Sequence, residues 1–236
     1  MFFSACPAAY IVQKDQSISN LDFVKGVHGI IMRKTTAALA ALLLLTTQLS
    51  ACAPDFSDGA DNGARTEQQT ERVPLIGAAE ISLDSAKTWA EANGASAQFT
   101  AAAASYWKYG ELTGIRPEVL YAQAALETAY GNFGGSVTPD MNNFAGIKKA
   151  DATDMKREDH EAFPTIDDGV RAHFNHICAY VGAQPIGEVH GRYYTVSRLS
   201  WAGTVKYLDE LSGKWCPVPD YGELIEKNYL DKMYKY

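Results

Sequence analysis

Residues 114–131 read Gly-Ile-Arg-Pro-Glu-Val-Leu-Tyr-Ala-Gln-Ala-Ala-Leu-Glu-Thr-Ala-Tyr-Gly, a run of small and apolar side chains closed by one carboxylate. Such a run fits a helix buried in a globular core and little else. Pro117 suits the first turn, where its missing N–H would have had no partner, and Glu118 complements the positive end of the helix dipole. Gly131 is the expected stop. Leu120, Ala124 and Glu127 follow an i, i+4, i+7 pattern, so the carboxylate shares a face with apolar neighbours, and Gln123 lies one turn below it. A carboxyl group partly withdrawn from water holds its proton more tightly, which is what a general acid needs near neutral pH. Taken alone, a single Glu at a helix end reads most simply as a surface charge. Its context argues otherwise.

A flexible Gly131-Asn-Phe-Gly-Gly135 turn follows, then Asn142-Asn-Phe-Ala-Gly-Ile-Lys148. Together, "AQAALETAYGNFGG" and "NNFAGIK" resemble the bacterial glucosaminidase family of peptidoglycan hydrolases, glycoside hydrolase family 73, from about Ala86 to the C-terminus. The resemblance implies a mainly α, lysozyme-like helical domain with a small β-lobe and an intervening cleft. It also implies that Glu127 is the catalytic acid of an endo-beta-N-acetylglucosaminidase. The family's second carboxylate lies in the β-lobe, here matched by Lys156–Phe163, where Glu158, Asp159 and Glu161 all qualify. Strand alternation puts Asp159 and Glu161 on the face of Phe163, and Glu161 is taken as the candidate. "KWCPVPDYG" resembles the family's "YATDPxYA" segment, with Trp215 replacing its first tyrosine and Tyr221 matching the second. Tyr221 is thus expected beside the acid, with Asn143 and Phe144 on the opposite wall and Gln123 completing the substrate-binding set.

The chain before this domain reads as export and tethering. Met32-Arg-Lys opens a short basic start, and Ala37–Leu45 is apolar but too short to span a bilayer. Leu49-Ser-Ala-Cys52 matches a bacterial lipoprotein box, so residues 32–52 are expected to be a signal peptide ending at an acylated Cys52. Residues 1–31 do not fit a signal peptide and are expected to be a non-native upstream extension, with translation beginning at Met32. Residues 53–81 are polar and read as a flexible linker, leaving 82–236 as one catalytic domain, expected to be monomeric. The protein would then sit on the outer face of the cell membrane through its lipid anchor and act on the glycan strands of the cell wall.

Helices are expected over Ser82–Asn93, Gln98–Leu112, the Glu127 segment, a stretch after Thr165 with an apolar stripe, Thr204–Leu211, and from Tyr221 onward. The net charge of −7 argues against holding nucleic acid by bulk electrostatics. Cys178 and Cys216 could form a disulfide contributing roughly 4 kcal/mol, or remain buried free thiols. His173 and His176 sit three apart on a helix, but no supporting ligands accompany them, so no metal and no cofactor are expected. Two competing functions remain. One is a muramidase or lytic transglycosylase of the same fold, and the other is a non-catalytic glycan-binding lipoprotein.

Overall fold

The computed structural model describes residues 71–236. The expected upstream extension, the signal segment with Cys52, and the linker as far as residue 70 lie outside the described residues. Within them the domain is mainly helical, as the sequence implies. Helices α1 (Leu83–Ala92) and α2 (Ala97–Thr113) both begin on serine caps: Ser82 Oγ accepts from the Ser85 N–H at 3.0 Å, and Ser96 Oγ from the Phe99 N–H at 3.2 Å. Gly114, left-handed at φ 71°, ends α2 and turns the chain into α3 (Pro117–Thr128). After a long irregular stretch, Thr165 caps α4 (Ile166–Val181), accepting from the Asp168 N–H at 3.1 Å. The short α5 (Gly191–Ser197) follows. At the C-terminus α6 (Tyr221–Ile225) runs through a π-helical turn, Glu226–Leu230, into α7 (Asp231–Met233).

Helix α2 lies against α1, α3 and α4, and the π-helical turn also packs on α3. The outcome is that every residue of α3 is buried except Glu127. Its alanines let neighbouring elements approach closely, and Tyr121 stacks on Phe99 at 4.4 Å between ring centroids. None of the helices among the described residues is long and apolar enough to cross a membrane.

The segment expected to form the β-lobe does so in minimal form. Lys148 and His160 make one isolated antiparallel bridge, flanked by Glu161 N–H to Ile147 O and Lys149 N–H to Asp159 O, both 2.8 Å. No sheet forms among the described residues, and a 3₁₀ turn over Arg157–Asp159 fills the tip.

Three boundaries differ from the sequence reading. The last part of the expected linker, from Arg72, belongs to the domain. Leu75 is fully buried, its N–H donates to Lys206 O at 2.9 Å and its carbonyl accepts from Arg116 N–H at 2.9 Å. Arg72 pairs with Asp209 at 2.8 Å and lies over the Tyr207 ring. The apolar residues Val73, Leu75 and Ile81 anchor this end of the otherwise polar segment to the core. The same contacts explain why Thr204–Leu211 is not one helix. Residues 206 and 208 bond their backbones to 75 and 73, so only Leu208–Leu211 closes into a 3₁₀ turn. This is a non-local pairing overriding a helical pattern. Finally, α3 stops before Gly131: Ala129 (φ 49°) and Tyr130 (φ 56°) are already left-handed.

Candidate active site

The turn that ends α3 is what presents Glu127. Consecutive left-handed residues at 129–131 reverse the chain, and two of them carry side chains, a conformation costing about 1–2 kcal/mol each. Thr128 stabilises the turn. Its hydroxyl donates to Ala124 O at 2.7 Å and accepts from Gly131 N–H at 2.9 Å. Gly131 is required twice over, by φ 76° and because a Cβ would lie 2.5 Å from both Phe99 Cβ and Ser96 Oγ. Thr128 escaped the sequence reading; a hydroxyl one residue past the carboxylate was the available signal.

The Glu127 carboxyl is held through one oxygen. Tyr221 donates its hydroxyl to Oε1 at 2.5 Å and Trp215 donates Nε1–H to the same atom at 3.1 Å. Oε2 has no hydrogen-bond partner among the described residues. The residue as a whole is half-buried, so the carboxyl is reachable from solvent. Its immediate surroundings are nevertheless densely packed, and this burial pushes its pKa up from 4.5 to about 7, against the opposing pull of the Tyr221 and Trp215 donors. A group so tuned can be protonated at neutral pH yet release the proton to a basic oxygen.

Both donors are fixed by the C-terminal segment. Trp215 is fully buried, with its ring 5.6 Å from His173, 5.2 Å from His176 and 5.8 Å from Tyr180, all on α4. Tyr221 opens α6, where Gly222 lets the helix touch the 3₁₀ turn: a Cβ there would lie 2.4 Å from Asp209 Cα and Leu208 O. The sequence reading placed Tyr221 beside the acid. Trp215, which replaces a tyrosine of the motif, is a direct partner of Glu127 as well.

Several expected site residues lie elsewhere. Asn143 is fully buried and ties the loop together, donating to Ile147 O and Glu161 O at 2.9 Å each and accepting from Ile147 N–H at 2.9 Å. Phe144 is fully buried near Phe99 and Phe133. The Asn143 side chain is engaged by four backbone groups, Ala145 N–H at 3.4 Å being the fourth, and Phe144 is a core aromatic. Gln123 is also fully buried, bonded to Tyr221 and His173.

Cys178 and Cys216 are both buried free thiols, so the disulfide alternative falls. Cys178 Sγ–H lies 3.5 Å from Gln184 O, and burial raises its pKa to about 12, which keeps it an inert thiol. His173 uses both ring nitrogens in hydrogen bonds to side chains.

Glu161 sits apart in character. Its carboxyl makes no hydrogen bond to any described residue, and burial raises its pKa, with Lys149 opposing and Asp151 adding to the rise. It lines a cavity of about 480 Å³ between the end of the lobe, the start of α4 and residues 188–191, where Phe163, Arg171 and His190 also contribute. Glu158 and Asp159, the alternatives, line a different, more polar depression with Lys149 and Lys156.

The fold and site together define a helical domain that presents one proton-holding carboxyl at the end of an otherwise buried helix. The family model described as glucosaminidase, mannosyl-glycoprotein endo-beta-N-acetylglucosaminidase, matches residues 103–233, more than half of the chain, and the chain belongs to this family. An uncharacterized protein of Borreliella burgdorferi is 31% identical over 124 residues, covering 52% of this chain and 57% of its own length. The chain therefore spans little more than half of that relative. No solved structure matches the chain.

Proposed function

We propose that the protein is a cell-wall glycosidase that cleaves the β-1,4 bond after N-acetylglucosamine in peptidoglycan, with Glu127 as general acid. The observation that carries this reading is the Glu127 carboxyl itself, with a pKa near 7, Oε1 occupied by two donors and Oε2 without a hydrogen-bond partner among the described residues. In this mechanism the proton leaves from Oε2 to the glycosidic oxygen. The charge that appears on Glu127 is met by Tyr221 and Trp215 donors already in place, so little reorganisation accompanies the transfer. Glu161 is the proposed second carboxylate, activating water or stabilising the oxocarbenium-like centre.

One observation favours a second reading. No described group orients the Glu161 carboxyl, which suits a mechanism relying on a single acid, as in a lytic transglycosylase or muramidase of the same fold. Digestion of purified wall with end-group analysis separates the two. Reducing N-acetylglucosamine ends support the glucosaminidase reading, anhydro-muramic ends support a lytic transglycosylase, and reducing N-acetylmuramic acid ends support a muramidase. Wild type that binds glycan strands without shortening them would make the protein a binding module.

The location is part of the proposal and rests on residues 32–52. Acylation at Cys52 would tether the domain to the outer face of the membrane, each buried methylene contributing about 0.8 kcal/mol. Substituting Cys52→Ala should release the protein from the membrane fraction. Its retention there would remove the anchor from the account.

A further inference from the structure

Behind Glu127 runs a chain of buried polar side chains drawn from three helices and the C-terminal segment. Tyr106 OH lies 2.9 Å from His173 Nδ1, and His173 Nε2 lies 3.0 Å from Gln123 Oε1. Gln123 Nε2–H donates to Tyr221 OH at 3.0 Å, and Tyr221 donates to Glu127 Oε1. Tyr106, His173 and Gln123 are completely shielded from solvent and Tyr221 nearly so. Bulk solvent therefore does not bathe these links.

Such a chain has two self-consistent polarities. In one, every O–H and N–H points toward Glu127, and Oε1 accepts from Tyr221. In the other, every donor is reversed: Tyr221 gives its proton to a flipped Gln123 amide, and Glu127 loses that donor. The far end decides between them. A Gln carbonyl oxygen only accepts, so the forward arrangement puts the single proton of a neutral imidazole on Nε2 and leaves Nδ1 to accept from Tyr106. In the reversed arrangement the Tyr106 O–H would have no acceptor among the described residues, since His173 is its sole hydrogen-bond partner there. Leaving a buried donor unmet is the more costly alternative. Burial also holds His173 neutral, with its pKa lowered to about 3.

We propose that the Tyr106–His173 pair is a positioning device that sets the polarity of this relay, keeping Glu127 Oε1 as the acceptor and leaving the transferable proton on Oε2. Neither residue touches substrate; both act through Gln123 and Tyr221. The proposal rests on the reading of Glu127 as the acid, and it adds a defined histidine tautomer that does not depend on catalysis.

Two measurements on the full domain test it. Long-range ¹H–¹⁵N correlation spectra of the wild type should show His173 as the neutral Nε2–H tautomer, without titration from pH 5 to 8. An Nδ1–H tautomer, or a ring titrating near 6.5, overturns the polarity. Tyr106→Phe removes the donor that selects the direction while keeping the ring. The expected result is a mixed His173 tautomer and a basic limb of kcat/KM displaced upward by about one pH unit, with KM little changed. His173→Gln, whose amide can supply the same N–H, should displace the limb less than His173→Leu. A purely structural role would lower the melting temperature of these variants and leave the pH profile in place, and that result overturns the proposal. If Glu127→Gln stays active, the acid reading fails and the catalytic half of the proposal falls with it. If Glu127→Gln is inactive and His173 carries its proton on Nδ1, only the polarity is wrong.

Discussion

Glu127 and Glu161 are both acidic side chains in partly buried settings, and burial raises both pKa values. Their supports differ completely. Glu127 stands at the end of a helix whose other residues are all buried, with two donors on one oxygen and a relay behind them. Glu161 stands on an irregular lobe whose backbone is tethered by Asn143, while its carboxyl accepts no hydrogen bond from the described residues. Proton affinity alone does not make a catalytic acid. What separates the two is orientation, and orientation comes from fixed neighbours.

The sharpest way to break that contrast is to neutralise each in turn. Glu127→Gln should lower turnover by about 10²–10⁴-fold, measured on purified wall. The same variant should be more stable than wild type at pH 8. An acid whose folded pKa is about 7 and whose unfolded value is near 4.5 keeps the native state richer in protons between those values, so stability falls as pH rises through this window and levels off above it. The difference that Gln removes is at most about 3 kcal/mol, readable as a higher denaturation midpoint. Glu161→Gln should cost less than about 10²-fold, the low end for acid–base groups. An equal loss in both variants would erase the distinction.

Smaller effects sharpen it. Tyr221→Phe removes one donor from the ionised form and should reduce turnover about tenfold while moving the alkaline limb upward by about one unit. Asn143→Ala tests the lobe instead: with its backbone partners lost, stability should fall by about 3 kcal/mol, seen as a lower melting temperature. A raised KM at unchanged stability would return Asn143 to the substrate wall. Acid titration completes the set. His173 and His190 are held neutral by burial, their pKa values lowered to about 3 and about 4. The unfolded chain binds more protons below pH 6.5, so this part of the stability is present above that pH and drains away as pH falls through about 4 for His190 and about 3 for His173.

The central helix and the carboxylate at its end were legible because a buried helix needs an apolar sequence on every face, and a carboxylate there stands out. The Thr165 cap and the α4 stripe were legible for the same local reason. Other parts depend on contacts that sequence spacing does not carry. Leu75 anchors a polar segment because residues 206 and 208 offer it backbone partners. Asn143 and Phe144 stand next to the site in the motif, but the loop turns both inward. Gln123, His173 and Tyr106 meet only because three helices converge, and Trp215 reaches Glu127 only because α4 supplies an aromatic bed. Motifs report proximity to a site. They do not report which side of the wall a residue faces.

The claim beneath all of this is that packing around the end of α3 keeps a proton on Glu127 at neutral pH. The direct test is a ¹³C NMR titration of the Glu127 side-chain carboxyl in the folded wild-type domain. A midpoint near 7 is what the structure predicts, and a midpoint between 4 and 5, where exposed glutamates titrate, would contradict it.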